Sequence, residues 1–255
     1  MRMTKLEKKN MKRGDIYNTK NGDLEIRVVI SANEVVVRFV DTDYFTITTK
    51  SNICSGKIKD LMKPSVFGIG FMGAGKYNIN NAPTAYQKWT SMLQRCYREN
   101  SISWERYGGN GVTVAEEWHN FQNFAEWYES YKYKEDGWHL DKDILIKGNK
   151  LYCKESCCIV PRIINQSLVS RVGLRGEYAI GVTWDEKASR YSVMLNAHHT
   201  HYKAFRQMYR SEREAFMEYK AAKESYLVAL AYEWRGRVAP KVLKALVEYE
   251  VEWND

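Results

Sequence analysis

The chain has 255 residues, 44% of them hydrophobic and 13% aromatic, enough for one large or several small cores, which excludes wholesale disorder. Its 39 Lys and Arg exceed its 31 Asp and Glu, and the net charge of +8 favours an acidic partner, nucleic acid being the commonest. No run nears the roughly 18 apolar residues of a membrane span, and no signal core opens the chain, so a cytoplasmic protein with reduced thiols and no membrane partner is expected.

The charge is uneven: residues 1–66 hold 13 basic and 8 acidic side chains, residues 67–165 hold 12 and 11, and residues 166–255 hold 14 and 12. The N-terminal run "KLEKKNMKR" reads either as a solvated tail or as an arm that tracks phosphates. Residues 14–50 read as β structure. "LEIRVVI" and "EVVVRFV" are β-branched runs split by the turn cluster "SAN", and "YFTITT" follows "DTD", predicting a small meander or barrel. Pro64 and the glycines of "GIGFMGAGK" then break the pattern near residue 66. Gly68, Gly70 and Gly73 match the spacing of a dinucleotide loop, but Pro64 stands where a strand is required and no apolar helix follows. A flexible linker is the expectation.

Residues 84–132 read as helix, loop, helix. Tyr86, Trp89, Met92, Leu93 and Cys96 fall on one helical face, "YGGNGVTV" leads into a short strand, and Asn120 suits the N-cap of "NFQNFAEWYESY". In "WHLDKDILIKGNKLYCKESCCIVPRIIN", residues 138–165, Cys153, Cys157 and Cys158 lack the paired spacing of a zinc site, and read as small buried hydrophobes with no structural zinc. The layout predicts a strand over "HLDKDILI", the turn "KGNK", a strand at "LY" and then a helix, which is the plan of a ββα metal finger. Asp141 suits a carboxylate ligand for a divalent cation on the strand.

The last third reads as three strands, "YAIGVTW", "RYSVMLN" and "HYKAFR". A long helix over about 211–235 follows, with Ser211 and Glu214 spaced as a capping box, then a shorter helix after Pro240 and a strand-like "VEYEVEW". The "HHTH" of His198, His199 and His201 reads as a polar turn. Alternation along "RYSVMLN" places Arg190, Ser192 and Asn196 on one face and Tyr191, Val193 and Leu195 on the other.

"YQKWTSMLQRCY", "YGGNGVTVAEEWHNFQNFAEWY" and "LDKDILIKGNKLYCKESCCIVPRIIN" resemble, in that order, a family of phage-encoded HNH homing-endonuclease-like proteins. The resemblance implies double-stranded DNA as partner, the cytoplasm of an infected bacterial host as location and, in active members, Mg²⁺- or Mn²⁺-dependent strand cleavage. Carried over, it implies Asp141, Asn149 and Asn165 as site residues, with Asp141, Ser156 and Asn165 as metal ligands. Where an active finger carries its general-base His, this chain has Lys142, and His139 is the nearest imidazole.

"GVTWDEKASRYSVML" with "SEREAFMEYKAAKESY" resembles the three-strand-plus-helix DNA-binding domain of plant ethylene-response factors. This second resemblance implies Trp184, Arg190 and Arg206 as base or phosphate contacts, with Lys203 and Arg175 on the backbone.

The expected fold is α+β in three parts: a small β domain over 1–66, central helices with an HNH-like ββα finger over 67–165, and a three-stranded sheet with helices over 166–255. The expected function is DNA binding with metal-dependent nicking or cleavage. Its rivals are a catalytically inactive DNA-binding regulator or architectural protein, and a module that binds a host protein through the aromatic-rich block 118–138.

Overall fold

The computed structural model describes residues 10–168, 177–195 and 205–255. Arg175, Lys203, Asn196, the three histidines of "HHTH" and most of the basic N-terminal run lie outside them. The protein is mixed α and β, as the sequence predicts, with a three-stranded sheet near the C-terminus and, near the N-terminus, a four-stranded antiparallel sheet for which the sequence names three strands. Its contacts form two compact units, Met1–Glu129 and Ser130–Asp255.

In the first unit, β1 (Ile16–Thr19), β2 (Gly22–Val29), β3 (Val35–Phe39) and β4 (Phe45–Thr48) pair in sequence order as an antiparallel meander. Alternation buries Leu24, Ile26, Val35, Val37 and Phe39 on one face, where Met11, Ile53 and Ile58 complete the core. Glu25 lies on the other face and pairs with Arg27 at 2.8 Å and Arg38 at 3.1 Å. The short helix α1 (Lys50–Ser55), absent from the sequence reading, is capped by Thr49 Oγ1, which accepts from Asn52 N at 3.1 Å. It ends at Gly56 in the left-handed region.

The glycine-rich stretch is not a flexible linker. Gln122 staples it: its amide nitrogen donates to the carbonyls of Met72 and Tyr77, each at 2.9 Å, and its amide oxygen accepts from Tyr77 N. A Cβ at Gly73, whose φ is +68°, would stand 2.0 Å from Asn120 Oδ1, and one at Gly75 would stand 2.3 Å from Gln122 Oε1, so a side chain at either position would displace these amides. Carbonyls surround an amide here, where a nucleotide loop needs free N–H groups.

Helix α2 (Pro83–Tyr97) buries Trp89, Met92, Leu93 and Cys96 as predicted, and Trp89 Nε1 donates to Trp118 O at 2.7 Å. The short strand β5 (Thr113–Val114) precedes Asn120, whose Oδ1 accepts from Gln122 N at 3.0 Å and caps α3 (Phe121–Ser130). Trp118, Phe121, Phe124 and Tyr128 are buried. The part of the aromatic block expected to present an interaction surface is therefore core.

The second unit departs further from the sequence reading. β6 is only His139–Asp141, and it pairs antiparallel with β8 (Cys158–Val160), not with the "LY" strand β7 (Leu151–Tyr152). The predicted helix over "CKESCCIVPRIIN" is divided. Cys158, Ile159 and Val160 are fully buried strand, Pro161 turns the chain, and α4 (Arg162–Ser167) follows. Two antiparallel strands followed by a helix are thus present, with β8 as the second strand, and residues 142–157, which include β7, connect them.

β9 (Val182–Asp185), β10 (Arg190–Leu195) and β11 (Phe205–Tyr209) form the three-stranded sheet in the order β11-β10-β9. The long helix α5 (Glu212–Glu233) packs on β10 and buries Ala215, Phe216, Tyr219, Tyr226 and Leu227. Gly181, at φ +75°, lies so close to the Tyr219 ring that a Cβ would come within 2.2 Å. The capping box does not form: Ser211 makes no side-chain cap bond, and Glu212 Oε1 instead accepts from Ala179 N at 2.8 Å. After α6 (Pro240–Val247) the tail is irregular rather than strand-like. It braces the 142–157 loop, because Lys147 pairs with Asp255 and donates to Glu250 O at 3.3 Å. Further along, Lys241 donates to Cys157 O at 3.2 Å, and the rings of Trp138 and Trp234 meet edge to face at 5.8 Å.

Candidate nucleic-acid and metal site

Two side-chain constellations emerge from the ββα unit. In the first, β6 places His139 and Asp141 on the same side of the strand, two residues apart. α4 brings Asn165 to His139, with its Nδ2 3.0 Å from His139 Nδ1. Asp141 Oδ1 accepts from Asp143 N at 2.7 Å and Ile144 N at 2.9 Å and so closes the turn that leaves the strand. Burial pushes the Asp141 carboxyl above its ordinary range, opposed by those two backbone donors.

The second constellation surrounds Lys142, which is only 6% exposed. Its ammonium donates to Asp143 Oδ1 at 2.7 Å, to Asp143 Oδ2 at 2.8 Å and to the carbonyl of Asn149. Asn149 answers with its own amide: Nδ2 donates to Lys142 O at 2.9 Å and to Leu151 O at 2.7 Å, and Oδ1 accepts from Leu151 N. The pair closes the 142–151 loop from both sides. An ammonium with its N–H groups so directed offers no lone pair, so Lys142 cannot take a proton from water in this arrangement.

Ser156 joins neither constellation. Its hydroxyl donates to Leu151 O at 2.8 Å and lies 3.2 Å from Cys153 Sγ. Cys157 and Cys158 are fully buried free thiols; burial raises the pKa of both, that of Cys157 to about 12. Among the described residues, no group of three His, Cys, Asp or Glu converges as a ligand set.

Asp141 Oδ2 and Asn165 Oδ1 make no hydrogen bond among the described residues, so the oxygen donors expected to hold a divalent cation are two in number.

On the three-stranded sheet, the register separates the residues expected to contact DNA. Arg190 pairs with Asp185, Ser192 with Thr183 and Met208, and Met194 with Arg206, so these share one face. Trp184 is opposite Tyr191 on the other face, the one that also carries Val182 and Val193. It meets the Tyr191 ring edge to face at 4.8 Å. Arg206 is held within the sheet: Nε donates to Ser192 Oγ and Nη2 to Asp185 Oδ2, each at 3.2 Å. That contact explains why Ser192, on the polar face, is buried.

The sequence reading missed Asp143 as the counter-ion of Lys142, although the two are adjacent. It also missed Arg162, one helical turn before Asn165. Comparison of the chain with family models, curated proteins and solved structures gives no match.

Proposed function

We propose that the chain is a double-stranded-DNA-binding protein built on the plan of the phage HNH homing-endonuclease-like proteins, with the base position given over to a structural lysine. One observation carries this reading: Lys142, where an active finger has its general base, is buried and saturated by Asp143 and Asn149. The basic composition and the Arg190–Arg206 face of the sheet support DNA as the partner.

A second reading, metal-dependent nicking, is favoured by the His139–Asn165 pair beside Asp141. A bound Mg²⁺ or Mn²⁺ would stabilise negative charge on a phosphate. Asp141 and Asn165 would hold it, while Asn165 fixes the orientation of the His139 ring.

The test combines duplex binding across a salt series with a plasmid assay in Mg²⁺ or Mn²⁺. Binding that weakens steeply with salt and leaves the plasmid supercoiled is the expected result. Nicking that disappears in both His139→Ala and Asp141→Ala replaces the first reading with the second. No duplex binding at low salt overturns both and leaves a host-protein partner.

A further inference from the structure

We infer that Arg162 is a phosphodiester-binding residue of the ββα unit, presented ready-oriented by Gln166; the inference rests on the DNA-binding reading above. α4 buries Ile164 and Ser167 and turns Asn165 toward His139. Arg162 stands three residues before Asn165, on the adjoining strip of the helix, and is exposed.

Its guanidinium does not wave freely. With the Gln166 amide carbonyl turned toward it, that oxygen accepts from Arg162 Nε at 3.0 Å and from Nη2 at 3.2 Å. Those two donors form the lateral edge of the guanidinium. The end edge, Nη1 with the second hydrogen of Nη2, makes no hydrogen bond or ion pair among the described residues.

A planar fork held along one edge and open at the other matches two oxygens of a tetrahedral phosphate. The ordering cost of a long side chain is already met in the free protein, which is what preorganisation contributes to affinity. The acceptor is assigned as a phosphodiester because the reading on which the inference rests has duplex DNA, with a phosphate at every step, as partner.

The test is anisotropy of a short fluorescein-labelled random-sequence duplex, titrated with the full-length chain over a salt series. Arg162→Ala is expected to lower affinity about fivefold to tenfold and to reduce the slope of log affinity against log salt by about one. Gln166→Leu keeps the charge, so it is expected to keep the salt slope while lowering affinity about threefold through lost orientation. Arg162→Lys is expected to keep the slope and lose part of the affinity.

Wild-type affinity and slope in Arg162→Ala would overturn the inference and leave the DNA-binding reading intact. An equal loss of slope in Gln166→Leu and Arg162→Ala would overturn the assigned role of Gln166. No binding by the wild type at low salt would overturn the DNA-binding reading and the inference with it. Both side chains are exposed, and thermal melting of each variant confirms that the comparison is between folded proteins.

Discussion

Replacing Lys142 by Met tests the claim that its ammonium holds the loop rather than serving chemistry. Met keeps most of the aliphatic stem in place, so the packing around it changes little. What is lost is the set of bonds to Asp143 and to the Asn149 carbonyl. Asp143 is 49% exposed, so water recovers most of its interaction and its share is at most about 1 kcal/mol. The carbonyl of Asn149 is half-buried and loses a charged donor, which costs about 1–3 kcal/mol. The sum is about 1–4 kcal/mol, or a fall in melting temperature of roughly 2–16 °C for a chain of this size. Scanning calorimetry of wild type and Lys142→Met side by side reads this directly. A melting temperature within about 1 °C of wild type would refute the reasoning, because a saturated buried ammonium cannot be removed without cost. Lys142→His is expected to fall similarly, since an imidazole is too short to reach both partners, and to gain no nicking activity.

Other perturbations probe separate parts of the molecule. Gln122→Ala strands the Met72 and Tyr77 carbonyls and Tyr77 N, and is expected to destabilise the chain by about 2–4 kcal/mol in a denaturant titration. Asp185→Asn releases one bond of Arg206, so duplex affinity should rise about twofold to fivefold with a steeper salt slope. Burial holds the Lys223 ammonium down to about 8, below its unfolded value of about 10.4. The unfolded chain then binds more protons between those values, so this group makes stability rise with pH across that window. The melting temperature of wild type should therefore gain on that of Lys223→Met between pH 7 and pH 10, and a constant difference would contradict the assignment. Cys96, Cys157 and Cys158 are buried, so a thiol reagent should label Cys54 and Cys153 first and reach the remaining three only after denaturation.

Much of the architecture was legible because it follows local rules. The alternating runs at 24–30 and 34–40 have one face apolar, and they became β2 and β3. The one-sided spacing of Trp89, Met92, Leu93 and Cys96 became the buried face of α2. The ββα unit was legible only in outline. Leu151 and Tyr152 are the nearer apolar pair after the turn, and proximity made them look like the partner of β6. The decisive signal was burial on both faces: Cys158, Ile159 and Val160 form a continuous apolar run ended by Pro161, which biases the residue before it to extended backbone. Partner choice for a single polar side chain was not legible at all. Nothing in the pattern says that Gln122 enters the 72–77 loop, or that Lys142 reaches Asn149 rather than solvent, because such contacts depend on tertiary placement.

The pairing of β6 with β8 decides how freely the chain between them can vary. Asp141 and Cys158 are register partners, so the two ends of the 142–157 loop meet side by side across one strand spacing of about 5 Å. Everything that distinguishes this loop, including Lys142, Asn149 and Ser156, is inserted at a point where the frame is already closed. Lengthening a loop whose ends are fixed costs little, since closure entropy grows only with the logarithm of length. His139, Asp141 and Asn165 therefore belong to a frame that can persist while the loop between them is rewritten. Changes confined to that loop are then expected to leave the placement of these three side chains unchanged.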